Sequence, residues 1–245
     1  MALKNMKVNF RHAFSCDNDK HSKDFIRKNF SPEQFFDDIQ RRDVNSIPHM
    51  DLYIAGFPCQ PFSIGGFRKG LDDCRGKLVY DVMNVITTKL PRMFLLENVK
   101  VFTTIDGGKY LRQVIRFLKQ IRNGENEPAY WVHWKVIDTK EQGIPHARKR
   151  WYCIGLSRSD FKNGKDFCFP NSLPCSTIQS FLDDSTPLGG AEEESSNVQT
   201  NILRAFSQSK ERGHDAAKEC ILIDVDASQR HMSWKSGVSP CLTRS

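Results

Sequence analysis

The chain has 245 residues, 39% of them hydrophobic and 27% charged, with a formal net charge of +7. That length can bury the core of one large domain, or of one domain and a small satellite. No apolar run approaches a membrane span and MALKNMKVNF has no apolar secretory core, so neither a membrane nor a secreted protein is indicated and an intracellular one is expected.

The basic balance is compatible with a polyanionic partner. Eight cysteines, at positions 16, 59, 74, 153, 168, 175, 220 and 241, include no C-x-x-C pair. Their scatter argues against a zinc site and against a disulfide framework, so no metal is expected and each is a packed apolar residue or a reactive thiol.

In chain order, Val8, Phe10 and Phe14 alternate with polar residues and predict a short strand ending at CDNDK. A helix over 20–29 follows. IPHMDLYIAGF predicts a second strand that runs straight into GFPCQPFS, where Pro58 and Pro61 restrict the backbone around Cys59. Cys59 therefore sits just past the carboxyl end of a strand, where open parallel sheets gather ligand and catalytic groups. A helix from Lys77 to about Lys89 stops before Pro91.

MFLLENV reads as a fully buried strand whose polar residues, Glu97 and Asn98, emerge at its end. A helix from about Gly108 to Arg122 carries Leu111, Val114 and Leu118 on its apolar face. YWVHWKVID alternates as a strand, and RWYCIGL supplies another after the loop EQGIPHARK. The pattern predicts a doubly wound α/β fold over residues 8 to about 157. Beyond it the composition turns loop-like, with a polar, acidic and flexible stretch near 189–197 and short strand-like pieces after it.

Three groups lie at strand ends or in the loops leading into them: Cys59; Glu97 with Asn98; and Arg148, Lys149 and Arg150. Singly, each has a plain structural explanation, as packing, a helix cap or a solvated basic run. Together they supply what attack on an electron-poor ring needs: a soft nucleophile, an acid for a ring nitrogen, and cations for an oxygen and its phosphates.

GFPCQPFS, LLENVKVF and GIPHARKRWYCIG occur in that order, with Glu97 38 positions after Cys59, and resemble the cytosine-5 DNA methyltransferases. The resemblance spans roughly residues 2 to 157 and, weakly, the tail. It implies an S-adenosylmethionine-dependent methyltransferase (Rossmann-like) sheet over 1–158 and part of a target-recognition region over 159–245. It further implies that Cys59 adds to C6 of a flipped-out cytosine in double-stranded DNA, and that Glu97 contacts N3 and the exocyclic amine. Arg150 would hold O2 of the base, Arg148 would support Glu97 or a phosphate, Asn98 would brace the cysteine loop, and Ser63 would meet a backbone phosphate.

On the cofactor side the same resemblance makes Asp17 the acid for the ribose hydroxyls. Asn18 stands beside it, where many members place an aromatic on the adenine. Asp38 and Ile39 would read and pack the adenine, and Pro58 and Leu78 would line the pocket. His146 stands where the family usually has Gln; His can still donate a hydrogen bond.

The family's glycine-rich first motif, with its strand, has no counterpart here, and its last two motifs do not arrive after SPCLTRS. The resemblance thus leads us to expect a chain truncated at both ends, with two inner strand edges left unpaired and a complementing segment or partner methyltransferase as a possible companion. Two alternatives stand beside DNA methylation: an RNA (transfer RNA) cytosine-5 methyltransferase, whose cysteine-phenylalanine-threonine signature is absent from the sequence, and a catalytically silent paralogue. A nuclear location is expected if the source is a eukaryote.

Overall fold

The computed structural model describes residues 2–57, 78–181, 196–215, 218–223 and 233–239. Pro58, Cys59 and Ser63 lie outside the described residues, as does the 189–195 part of the acidic stretch. The chain divides into two compact units, Met1–Val136 with Arg150–Phe169, and Ile137–Lys149 with Pro170–Ser245.

The first unit opens with a single helical turn, α1 (Ala2–Asn5), then strand β1 (Phe14–Cys16), helix α2 (Lys20–Asn29) and strand β2 (Gln34–Phe36). The first predicted strand is cut down to its last three residues; Val8 and Phe10 are exposed ahead of it. Helix α2 matches the expectation because Asp19 caps it, its carboxylate accepting from the Ser22 N–H at 2.9 Å. β2 carries no sequence signal of its own, since three residues hold too little periodicity to register. It pairs in parallel with β1, Cys16 opposite Phe36.

The main sheet has four strands: β3 (Leu52–Gly56), β4 (Met93–Val99), β5 (Tyr130–Asp138) and β6 (Lys149–Ser157), in the order β3-β4-β6-β5. Helix α3 (Leu78–Lys89) precedes β4, and α4 (Lys109–Gln120) follows it. β3 runs parallel to β4, but β6 runs antiparallel to it, so the sheet is mixed. The reason lies in the connection. β5 and β6 are joined by residues 139–148 with only one 3₁₀ turn, Thr139–Glu141, and a parallel return needs a longer crossover. Among the described residues no ladder joins β1 to β3; Phe14 instead stacks on Tyr53 at 6.2 Å between ring centroids.

β4 is not buried on both faces, as its apolar run suggested. Phe94, Leu96 and Asn98 are buried, whereas Met93, Leu95, Glu97 and Val99 are only half-buried. The buried side joins one core with Val79, Val82, Met83 and Ile86 of α3, Leu111, Val114 and Leu118 of α4, and Trp151 and Cys153 of β6. Burial pushes the Cys153 thiol pKa far up, which makes it a packing residue.

In the second unit, α5 (Ser196–Glu211) precedes an antiparallel pair, β7 (Ile221–Ile223) and β8 (Trp234–Ser236). The sequence did not announce α5, because its buried face is Asn201, Ala205 and Ser209 while Leu203 and Phe206 are exposed, so it has no apolar stripe to read. Trp234 Nε1 donates to Gln208 Oε1 at 3.1 Å and fastens β8 to the helix. The Ser236 hydroxyl, the Asp215 N–H and His214 all hold the Glu219 carboxyl below its ordinary range. No helix among the described residues is long and apolar enough to cross a membrane.

Gly155 tests the β4–β6 register. It lies opposite Phe94, and a Cβ there would come within 2.0 Å of the Phe94 ring. Gly155→Ala is expected to lower the unfolding free energy by about 2 kcal/mol, as overpacking of a filled core does, read from urea denaturation.

Candidate active site

The site begins with the alternation of β4. Residue 97 falls on the accessible side and residue 98 on the buried one, so ENV presents a carboxylate outward and an amide inward. Asn98 is 1% exposed. Its Oδ1 accepts from the Val99 N–H at 2.8 Å, and its Nδ2 donates to the Phe57 carbonyl across a long 3.5 Å. Asn98 thus ties the end of β4 to Phe57, the last described residue before Pro58 and Cys59.

Phe57 is anchored a second way. Its ring meets Phe102 at 5.5 Å and Trp151 at 6.3 Å, and those two rings lie 5.0 Å apart. All three are buried, so the end of β3 rests on an aromatic floor drawn from three separate segments. Gly56 sits opposite Glu97 in the β3–β4 register, and a Cβ there would lie 3.3 Å from Glu97 Oε2. Glycine leaves the carboxylate its room.

Arg150 reaches Glu97 from the neighbouring strand. It pairs in register with Val99, one pleat beyond Glu97, and its Nε lies 3.0 Å from Glu97 Oε1. With Arg150 15% and Glu97 34% exposed, the pair is partly shielded from solvent. The guanidinium fixes one carboxylate oxygen, while the other faces Gly56. Arg148 belongs to the second unit, where its backbone N–H donates to the Asp138 carboxylate at 2.9 Å.

The expected cofactor residues follow two adjacent parallel strands. Asp17 comes directly after β1 and Asp38 shortly after β2. Asp17 Oδ1 accepts from the Asp19 N–H at 2.9 Å, and Asp38 Oδ1 accepts from the Gln40 N–H at 2.8 Å, so both carboxylates are oriented by local turns. Ile39 lines a cavity of about 250 Å³ together with Arg42, Val44, Asp81, Asn84 and Val85. Leu78 opens α3, one turn before Asp81 on the cavity wall. Asn18 lies between Asp17 and the cap Asp19.

The structure therefore brings Glu97, Asn98 and Arg150 together at the end of β3, and sets Asp17 and Asp38 behind neighbouring strands. Gly56, Phe57, Phe102, Trp151 and Arg42 were not singled out as site residues. The first four had a sequence signal: each lies inside one of the three motifs, as GF, VF or RW. Arg42 had none. Its guanidinium lies 5.5 Å from the Phe14 ring centroid and 5.8 Å from that of Phe36, between rings contributed by both strands of the small sheet.

Comparison with known proteins bears on the fold and the family. A solved structure of Spodoptera frugiperda DNMT2 superposes with a TM-score of 0.56 at 19% identity, over 76% of this chain and 56% of that one, so the α/β fold is one seen in a methyltransferase. The family profile for C-5 cytosine-specific DNA methylase matches residues 1–240. The Type II methyltransferase M.NgoBI of Neisseria gonorrhoeae is 39% identical over 68% of this chain and 49% of its own length. M.NlaX of Neisseria lactamica is 32% identical over 85% of this chain and 61% of its own length. The chain belongs to the C-5 cytosine-specific DNA methylase family. It spans roughly half to three-fifths of the length of these two relatives.

Asn98→Ala removes the acceptor for the Val99 N–H and the tie to Phe57. It is expected to cost about 1–3 kcal/mol of stability, the range for a buried donor left unmet, measured by chemical denaturation.

Proposed function

We propose that this chain carries the active centre for transfer of a methyl group to C5 of cytosine in DNA, with Cys59 as nucleophile. The observation that carries the reading is the Glu97–Arg150 ion pair beside the strand that leads into Pro58 and Cys59. In the reaction the Cys59 thiolate forms a bond to C6 of a cytosine turned out of the duplex, and negative charge moves toward N3 and O2. Glu97 contacts N3 and the exocyclic amine and relieves the charge at N3; Arg150 orients Glu97 and offers its remaining N–H groups to O2. Once C5 has gained its methyl group, loss of the C5 proton breaks the C6–S bond and returns the thiolate. Ser63 and Arg148 contact the DNA backbone, and Asn98 holds the cysteine loop.

The residues present fit S-adenosylmethionine, which supplies the electrophilic methyl group when bound. A nucleoside needs acceptors for its ribose hydroxyls and exocyclic amine and an apolar wall for its ring. Asp17 and Asp38 offer oriented carboxylates, and Ile39 offers an apolar side chain on a cavity whose wall is otherwise mostly polar, with Gln40, Arg42, Asp43, Asp81 and Asn84. Pro58 and Leu78 complete the set on the resemblance alone.

We assign residues 1–158 to the catalytic domain and 159–245 to the target-recognition region. DNA is favoured over RNA because the curated relatives carry Type II methyltransferase names and the family profile is that of a DNA methylase; the likeness to DNMT2 bears on fold alone. The retained Glu97–Arg150 pair favours an active centre over a silent paralogue. Since these relatives are bacterial, they lend the nuclear expectation no support.

The protein expressed from its full natural reading frame is expected to form a covalent adduct with duplex DNA containing 5-fluorocytosine when S-adenosylmethionine is present, because fluorine at C5 blocks the final elimination. Cys59→Ala should abolish the adduct, and Glu97→Gln should slow it by about 10²–10⁴-fold, the usual worth of a positioned acid. Denaturing gel electrophoresis reads both. No adduct with the unaltered protein, or an adduct that persists in Cys59→Ala, overturns the assignment.

A further inference from the structure

The loop between β5 and β6 begins and ends on one dipeptide. Asp138, the last residue of β5, is 2% exposed, and its Oδ1 accepts from the Arg148 N–H at 2.9 Å. The Thr139 N–H donates to the Arg148 carbonyl at 3.3 Å, and the Thr139 hydroxyl donates to the His146 carbonyl. Both peptide groups of Arg148 are therefore fixed from residues 138 and 139. One residue earlier a rung to the 233–239 segment takes over: the Ala147 N–H donates to the Ser239 carbonyl at 2.9 Å, and the Ser239 N–H to the Pro145 carbonyl at 2.8 Å.

Asp138 is an unusual choice for a structural clamp. Its second oxygen, Oδ2, is buried and accepts no hydrogen bond among the described residues. Burying half of a carboxylate without a donor is unfavourable, so a site tuned for stability alone would use a smaller acceptor. What the carboxylate secures is the strong, charge-assisted bond to one particular N–H. Residues 142–148 have no helix or strand of their own, so these bonds, with the start of β6 at Lys149, help set the direction in which the Arg148 side chain leaves the backbone.

We propose that Asp138 is a positioning residue for Arg148: it locks the peptide from which the guanidinium is aimed at a DNA phosphate. The inference rests on the methyltransferase reading for what Arg148 does, but not for how Arg148 is held. A misplacement of about 1 Å in a contacting group can cost of order 10²-fold in rate, so a loosened Arg148 peptide should be felt in the reaction.

The test uses Asp138→Ala, Asp138→Asn, Arg148→Ala and the double variant Asp138→Ala/Arg148→Ala, in the same full-frame protein. Two readouts are taken: amide hydrogen exchange over residues 144–150, and the rate of adduct formation on 5-fluorocytosine DNA. Asp138→Ala is expected to speed exchange at the Arg148 amide by about tenfold, the equivalent of one hydrogen bond. It should slow adduct formation by at least about tenfold, and Asp138→Asn, which keeps an acceptor, should bring both within about threefold of the unaltered protein. Because Asp138 acts through Arg148, the double variant should be no slower than Arg148→Ala alone, whereas a general structural role would make the losses multiply.

Unchanged exchange in Asp138→Ala, or multiplying losses, overturns the proposal. Should Asp138→Ala fail to fold, Asp138→Asn decides: near-normal values support the proposal, and a loss beyond about tenfold overturns it. Should the unaltered protein form no adduct, the methyltransferase reading fails instead, and exchange at Arg148 alone decides whether Asp138 holds it.

Discussion

Everything at the candidate site depends on the register of β4. Because side chains alternate along a strand, Phe94, Leu96 and Asn98 turn to the core while Glu97 turns to the accessible face, and a slip of one residue would exchange the two sets. The core resists such a slip: Phe94 lies over Gly155, where no larger side chain fits, and Leu96 pairs with Cys153. The apolar packing that holds the sheet together therefore also decides which way the carboxylate points. Chemistry and stability are set by the same ladder.

The mixed direction of the sheet matters for the same reason. In the parallel pair β3 and β4, both carboxyl ends emerge on one edge, which brings the approach to Cys59 next to Glu97. A cation at the end of a further parallel strand could also have reached that edge, but the chain has only a short connection between β5 and β6. The antiparallel return solves this by placing the beginning of β6 beside the end of β4, so Arg150, the second residue of its strand, meets Glu97. The short loop that makes β6 antiparallel is thus also what delivers the arginine.

Much of this was legible in the sequence, for identifiable reasons. α2 is marked by a capping aspartate, α4 by its apolar stripe and β5 by period-two alternation, and each lies where the pattern put it. β2 and α5 were not legible. The first is three residues long, and the second buries small and polar side chains, so neither carries the hydrophobic period on which such a reading rests. The antiparallel run of β6 was open to inference from the length of the 139–148 loop, but the doubly wound pattern of the preceding elements concealed it. Of the site, the chemical groups stood out because Cys59, Glu97 and Arg150 are conspicuous types in conspicuous motifs. Their supports stood out only by lying inside those motifs, since Phe57, Phe102 and Trp151 are ordinary core residues until the rings are seen to meet, and Gly56 is an exposed glycine until its approach to Glu97 is seen.

Those supports explain how so small a set of polar groups can be preorganised. A carboxylate and a guanidinium held in open solvent would sample many arrangements and would be screened by salt. Here the aromatic floor of Phe57, Phe102 and Trp151 lies directly under the end of β3, and Asn98 meets its own polar needs within that floor. The Glu97–Arg150 pair lies on the other face of the sheet and is only partly exposed, so solvent screens it less than a pair in open water. On the methyltransferase reading proposed above, a planar base meeting this pair would find the carboxylate oxygen already oriented by the guanidinium, and groups oriented in advance are the condition under which electrostatic stabilisation of a charged intermediate is most effective.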